Sequence, residues 1–71
     1  MKLSEISKGM KVTVASIPDY DIRSQAYKFG ISEGECIICI ESIRRGPVIL
    51  EKDFQEIALG RKIAEGITVN A

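Results

Sequence analysis

The chain has 71 residues, 45% of them hydrophobic and 28% charged, and its ten basic side chains balance ten acidic ones. A chain of this size forms one domain, over residues 1–71, and buries only about 60% of the surface that its unfolded form exposes. Zero net charge provides no global field to gather nucleic acid or anionic lipid. No apolar run approaches the ~20 residues of a spanning helix, so neither nucleic-acid binding nor direct membrane insertion is expected.

The first residues, MKLSEISKGM, carry one early lysine and then alternate polar with apolar, unlike a secretory leader. The expected location is therefore cytoplasmic, where thiols stay reduced and a structural disulfide is not expected. Ser4 and Glu5 ahead of Gly9 read as a short helical turn or tight loop. In KVTVASI, Val12 and Val14 share one face and Lys11 and Thr13 the other, the period of a half-buried strand. The phase changes between Ala15 and Ile17, which places a bulge or the end of the strand there.

Pro18 breaks the strand, and Asp19 or Asp21 is suited to cap a helix, because a carboxylate accepts the free N–H groups of a first turn. Ile22, Ala26 and Phe29 follow at i, i+4 and i+7, the buried stripe of that helix. Gly30 stands where the chain must turn left-handed, and Ile31 is placed to fold back on the last helical turn.

After a turn at Gly34 comes ECIICIESI (35–43), the most apolar stretch, followed by the turn RRGP, the strand PVILE, the turn KDF, the strand QEIAL, the connector GRKIAEG with one helical turn, and a last strand, ITV. Five short strands with one early helix predict a mainly β fold: a small five-stranded β-barrel with one inserted α-helix, closed so that few edges stay free.

The quartet CIIC, Cys36 to Cys39, has the spacing of half a zinc site and of a thiol redox motif. In an extended strand the two sulfurs point opposite ways and cannot grip one ion. The two intervening residues are isoleucines, and the chain has no histidine and no third cysteine. The pair therefore reads as core packing, with Cys39, on the face of Glu41, expected to be the more exposed of the two. There is no phosphate loop, the serines have no histidine base, and the carboxylate pairs suit caps and turns. Arg44-Arg45 and Arg61-Lys62 read as solvated turn residues. No enzyme, cofactor or metal site is expected. The remaining class is a binding module.

The ordered set LSEISKGMKVTV, IRSQAYKFGISEGE, RRGPVILE and IALGRKIAEGITV resembles the FeoA family of small bacterial proteins. The match rests on Leu3, Ser4 and Gly9, on Ile22, Arg23, Phe29, Gly30, Ile31 and Gly34, and on Gly46, Pro47, Ala58, Leu59, Ala64, Ile67 and Val69. Glu33 stands where a proline often precedes the turn glycine, and Ala26 and Phe29 replace the usual leucines. The resemblance implies an SH3-like β-barrel with a helix packed across it. It also implies a non-enzymatic accessory of ferrous iron transport that docks on FeoB, a membrane permease with a cytosolic GTP-binding domain. Exposed aromatics and planar cations anchor interfaces best, so the candidate docking residues are Tyr20, Arg23, Tyr27, Arg44 and Arg45. The competing expectation is a metal-binding or metal-sensing domain, like the related domain at the C-terminus of metal-dependent repressors.

Overall fold

The alternation at the start of the chain forms β1 (Lys11–Ser16), with Val12 and Val14 buried and Lys11 and Thr13 exposed. The computed structural model describes residues 1–71. A 3₁₀ turn at Leu3–Glu5 precedes β1, and α1 (Tyr20–Lys28), β2 (Cys36–Ser42), β3 (Val48–Lys52), β4 (Gln55–Leu59), α2 (Arg61–Glu65) and β5 (Thr68–Asn70) follow it. The expected break in phase after Val14 is a register shift between Val14 and Ser16 in the pairing of β1 with β5.

All pairings are antiparallel, in the order β4-β3-β2-β1-β5. The expected closed barrel is corrected here: β4 and β5 do not pair, and the sheet stays open. The reason lies in the first residues. Lys2 bridges Thr68, the Leu3 N–H donates to the Ile67 carbonyl at 2.8 Å, and the Val69 N–H donates to the Met1 carbonyl at 2.8 Å. These bonds occupy the outer edge of β5, and α2 intervenes in the chain between β4 and β5.

Fifteen residues are buried and all are hydrophobic. The sheet contributes Val12, Val14, Ile37, Cys39, Val48, Leu50, Leu59 and Val69, and Leu3, Ile6, Ile17, Ala26, Ile31, Ala64 and Ile67 complete the core. Asp19 caps α1, its Oδ1 accepting from the Ile22 N–H at 3.0 Å. At the other end Gly30 has φ +80, its N–H donating to the Tyr27 carbonyl and that of Ile31 to the Ala26 carbonyl, both at 3.0 Å. This paired closure folds Ile31 into the core. Phe29, expected on the buried stripe, is instead the C-cap and 46% exposed, because the helix ends one residue earlier and Ile31 enters the core. Between the helices, Ile22 lies so close to Gly66 that a Cβ there would sit 2.5 Å from Ile22 Cδ1.

Arg61, at the start of α2, departs most from its expected role. Its Nε donates to the Gly46 carbonyl at 2.8 Å, Nη1 to the Ser4 carbonyl at 3.0 Å, and Nη2 to the Ile43 carbonyl at 2.7 Å and Ser42 Oγ at 3.2 Å. It is therefore a cross-link between the first turn, the β2–β3 connection and α2, and not a solvated turn residue. Arg61→Ala is expected to lower stability by about 2–3 kcal/mol in urea titration, since three carbonyls lose a charged donor. Arg61→Lys should recover only part of this, because an ammonium cannot reproduce the planar fork.

Candidate partner-binding surface

On α1, Tyr20, Arg23 and Tyr27 stand at i, i+3 and i+7, which places them along one side of the helix. Tyr20 is 71% exposed and Tyr27 50%. The Arg23 guanidinium carbon lies 5.8 Å from the centre of the Tyr20 ring, a cation–π arrangement, and Nη1 donates to the Ile17 carbonyl at 3.3 Å. Arg23 is thus placed between a ring and a backbone carbonyl. Tyr27 Oη donates to Glu33 Oε1 at 2.9 Å. This bond raises the Tyr27 pKa above the ordinary tyrosine value. Glu33 is lowered, first by its own backbone N–H and then by the Tyr27 hydroxyl.

The structure therefore brings three of the five candidate residues together. Arg44 and Arg45 are apart from them, exposed in the β2–β3 turn, with Arg45 at φ +61. That turn is closed by the Gly46 N–H donating to the Ile43 carbonyl at 2.8 Å.

The two cysteines separate as alternation requires, but in the opposite sense to the one expected. Cys39 is buried and Cys36 exposed. A register shift between Cys39 and Glu41 in the β2–β3 pairing breaks the alternation, so Glu41 is exposed although Cys39 joins Ile37 in the core. Burial, and next the Glu41 charge, push the Cys39 thiol pKa up. No group of three or more Cys, Asp or Glu side chains gathers to hold a metal ion.

One exposed residue escaped the sequence reading. Phe54 is 100% exposed, in the two-residue loop joining Lys52 to Gln55. Its signal was an aromatic inside the turn KDF.

Thiol titration of the native chain should find one reactive cysteine, Cys36, and two in denaturant. Tyr27→Phe is expected to raise the Glu33 pKa part of the way to the ordinary value, as read by NMR titration. The sign follows from the two shifts: Glu33 is lowered, so its share of the tether is lost as pH falls through its depressed pKa. Tyr27 is raised, so its share is lost as pH rises through its elevated pKa.

The FeoA domain profile matches residues 1–71. A crystal structure of an iron uptake regulatory protein, FeoA, is similar at a TM-score of 0.89 and 28% identity, over 97% of this chain and 93% of that one. An NMR structure of a FeoA-like protein from Clostridium acetobutylicum shares the fold, at a TM-score of 0.86 and 24% identity, over 99% of this chain and 84% of that one. ScaR with bound Cd²⁺ is similar at a TM-score of 0.88 and 25% identity, but the chain, covered in full, spans 35% of ScaR. A comparison with curated proteins gives no match. Matched by one family profile from end to end, and by a FeoA structure over nearly the full length of both, this chain belongs to the FeoA family.

Proposed function

We propose that the chain is a non-enzymatic accessory of bacterial ferrous iron transport, acting in the cytosol by docking on the cytosolic part of a FeoB-type permease and modulating uptake. Family membership supports the transport setting. The observation that carries the docking is the row Tyr20, Arg23 and Tyr27 on α1, two exposed rings with a half-buried guanidinium between them. Two aromatic rings and a guanidinium already held by the Ile17 carbonyl lose little side-chain freedom on binding, and residues of these types supply most interface energy. Arg44 and Arg45 add charge in the β2–β3 turn and serve orientation and encounter more than affinity.

A pull-down of the chain with the cytosolic portion of its host's permease, with and without guanine nucleotide, tests the reading. Binding is expected. Arg23→Ala should weaken it by about tenfold and Arg44→Ala by less, with a larger effect on association rate at low salt. The absence of binding in every nucleotide state would remove the docking function. A rise in melting temperature with one equivalent of ferrous or zinc ion would favour a metal sensor instead, since a ligand bound to the native state stabilises by mass action.

A further inference from the structure

The outer face of the sheet is uncovered. The core gathers on the other face, through Val12, Val14, Ile37, Cys39, Val48 and Leu50, and the alternate residues stand toward solvent. Strand pairing fixes how these outward residues line up. Lys11 on β1 is the direct partner of Ile38 on β2, and Ile38 is the direct partner of Glu51 on β3. A row across three adjacent strands therefore reads cation, isoleucine, carboxylate. Ile38 is 36% exposed at its middle.

An open cleft of about 310 Å³ lies along this row, lined by Lys11, Cys36, Ile38, Glu51, Asp53 and Phe54. Lys52 lines it too, but its ammonium is engaged by Glu35 at 3.4 Å and by the Gly30 carbonyl. Lys11 and Glu51 have no ion-pair partner, because two strand spacings of ~4.8 Å and the Ile38 side chain separate them.

Such a row is complementary to itself. A twofold axis along β2, between two sheets stacked face to face, sets β2 over β2 and exchanges the flanking strands. Ile38 then meets Ile38 of the second copy, and Lys11 lies over Glu51 of the second copy on both sides of the axis. Stacked sheets are ~10 Å apart, a gap that a lysine and a glutamate side chain span together. Facing sheets keep their strands within about 30° of one another, close to this arrangement. The charges decide which occupant fits. A segment of one sign would pair with one of the two groups and repel the other, whereas a second copy offers each its opposite. Zero net charge leaves no overall repulsion between copies.

We infer that the outer face of the sheet is the contact of an isologous dimer of this chain, with Ile38 at its centre and a Lys11–Glu51 pair on either side. The molecule measures 27 × 25 × 21 Å, so one face offers less than the ~800 Å² per partner of a stable complex, and the dimer is a transient one. Because α1 packs on the core face through Ala26, its exposed row stays free in the dimer. The inference does not rest on the docking proposed for that row.

Sedimentation velocity of the full chain at low salt, up to about 1 mM, tests it, with a dissociation constant on the order of 0.1 mM expected to weaken as salt is added. In a ¹⁵N dilution series the amides of Lys11, Ile38 and Glu51 should move with chain concentration, and those of Tyr20, Arg23 and Tyr27 should not. Lys11→Glu and Glu51→Lys each place one sign on both flanks, and each should weaken self-association at least tenfold. An equimolar mixture of the two should associate as the unaltered chain does, so misfolding cannot account for the loss in either. Combined in one chain, Lys11→Glu with Glu51→Lys should restore the dimer. Lys11→Glu with Glu65→Lys restores neutrality on α2, away from the face, and should stay as weak as Lys11→Glu alone.

A monomer at every concentration would overturn the inference, as would equal association of the two double variants. Concentration-dependent shifts confined to Gln55–Leu59 would assign self-association to the free edge of β4 and overturn it too. Shifts of Lys11, Ile38 and Glu51 with the permease portion, in a chain that does not self-associate, would give the face to that partner and overturn the dimer.

Discussion

Much of the structure depends on one guanidinium. The sheet does not close, and the chain crosses from β4 to β5 through the five residues of α2. A small domain with an open seam needs something to tie the seam's two sides together, and Arg61 does this with bonds to Ser4, Ser42, Ile43 and Gly46. Three of the four acceptors are backbone carbonyls at turns and ends of elements, where the regular ladder leaves oxygens free. A planar donor can satisfy several of them at once from a single position. The first turn, held down at Ser4, in turn lines up Met1 to Leu3 along β5.

With the seam held this way, the core needs no polar group. All fifteen buried residues are hydrophobic and no buried side-chain polar atom lacks a partner. Charge is left to the surface, where it is organised unevenly. On α1 a guanidinium lies 5.8 Å from a ring centre and a tyrosine is bonded to a carboxylate, each group finding a local partner. On the β3–β4 hairpin two glutamates face each other and a phenylalanine stands in solvent. One surface is preorganised and the other is internally unsatisfied. Preorganisation lowers the cost of binding.

Most of the fold was legible residue by residue. The alternation of Val12 and Val14, the cap at Asp19, the left-handed Gly30 with Ile31 behind it, and the break in phase after Val14 all depend on neighbours within a few positions, and each is found as expected. The misreadings share a different origin. Cys39 and Cys36 exchanged their expected environments because a register shift in β2 is set by its pairing with β3, and nothing inside CIIC announces it. Phe29 left the buried stripe because the helix closes at Lys28, with Ile31 in the core. Of the candidate site, the types of residue were legible, and the grouping of Tyr20, Arg23 and Tyr27 followed from helical spacing. Whether Arg44 and Arg45 join them is a matter of how a distant turn is placed.

Sequence by itself determined the class of the molecule: mainly β, one early helix, a single apolar core, and a patterned resemblance strong enough to name the family. It could do so because periodicity, capping and turn chemistry are local, and side-chain direction follows from backbone geometry. Only the tertiary structure decided that the sheet stays open, that Arg61 is a cross-link and that Phe54 is bare. Each of these depends on groups brought together from far along the chain, Ser4 lying 57 positions from Arg61. An arginine followed by a lysine looks the same in sequence whether water or four protein oxygens receive its hydrogens. What distinguishes the two cases is the position of the acceptors, which exists only once the chain has folded.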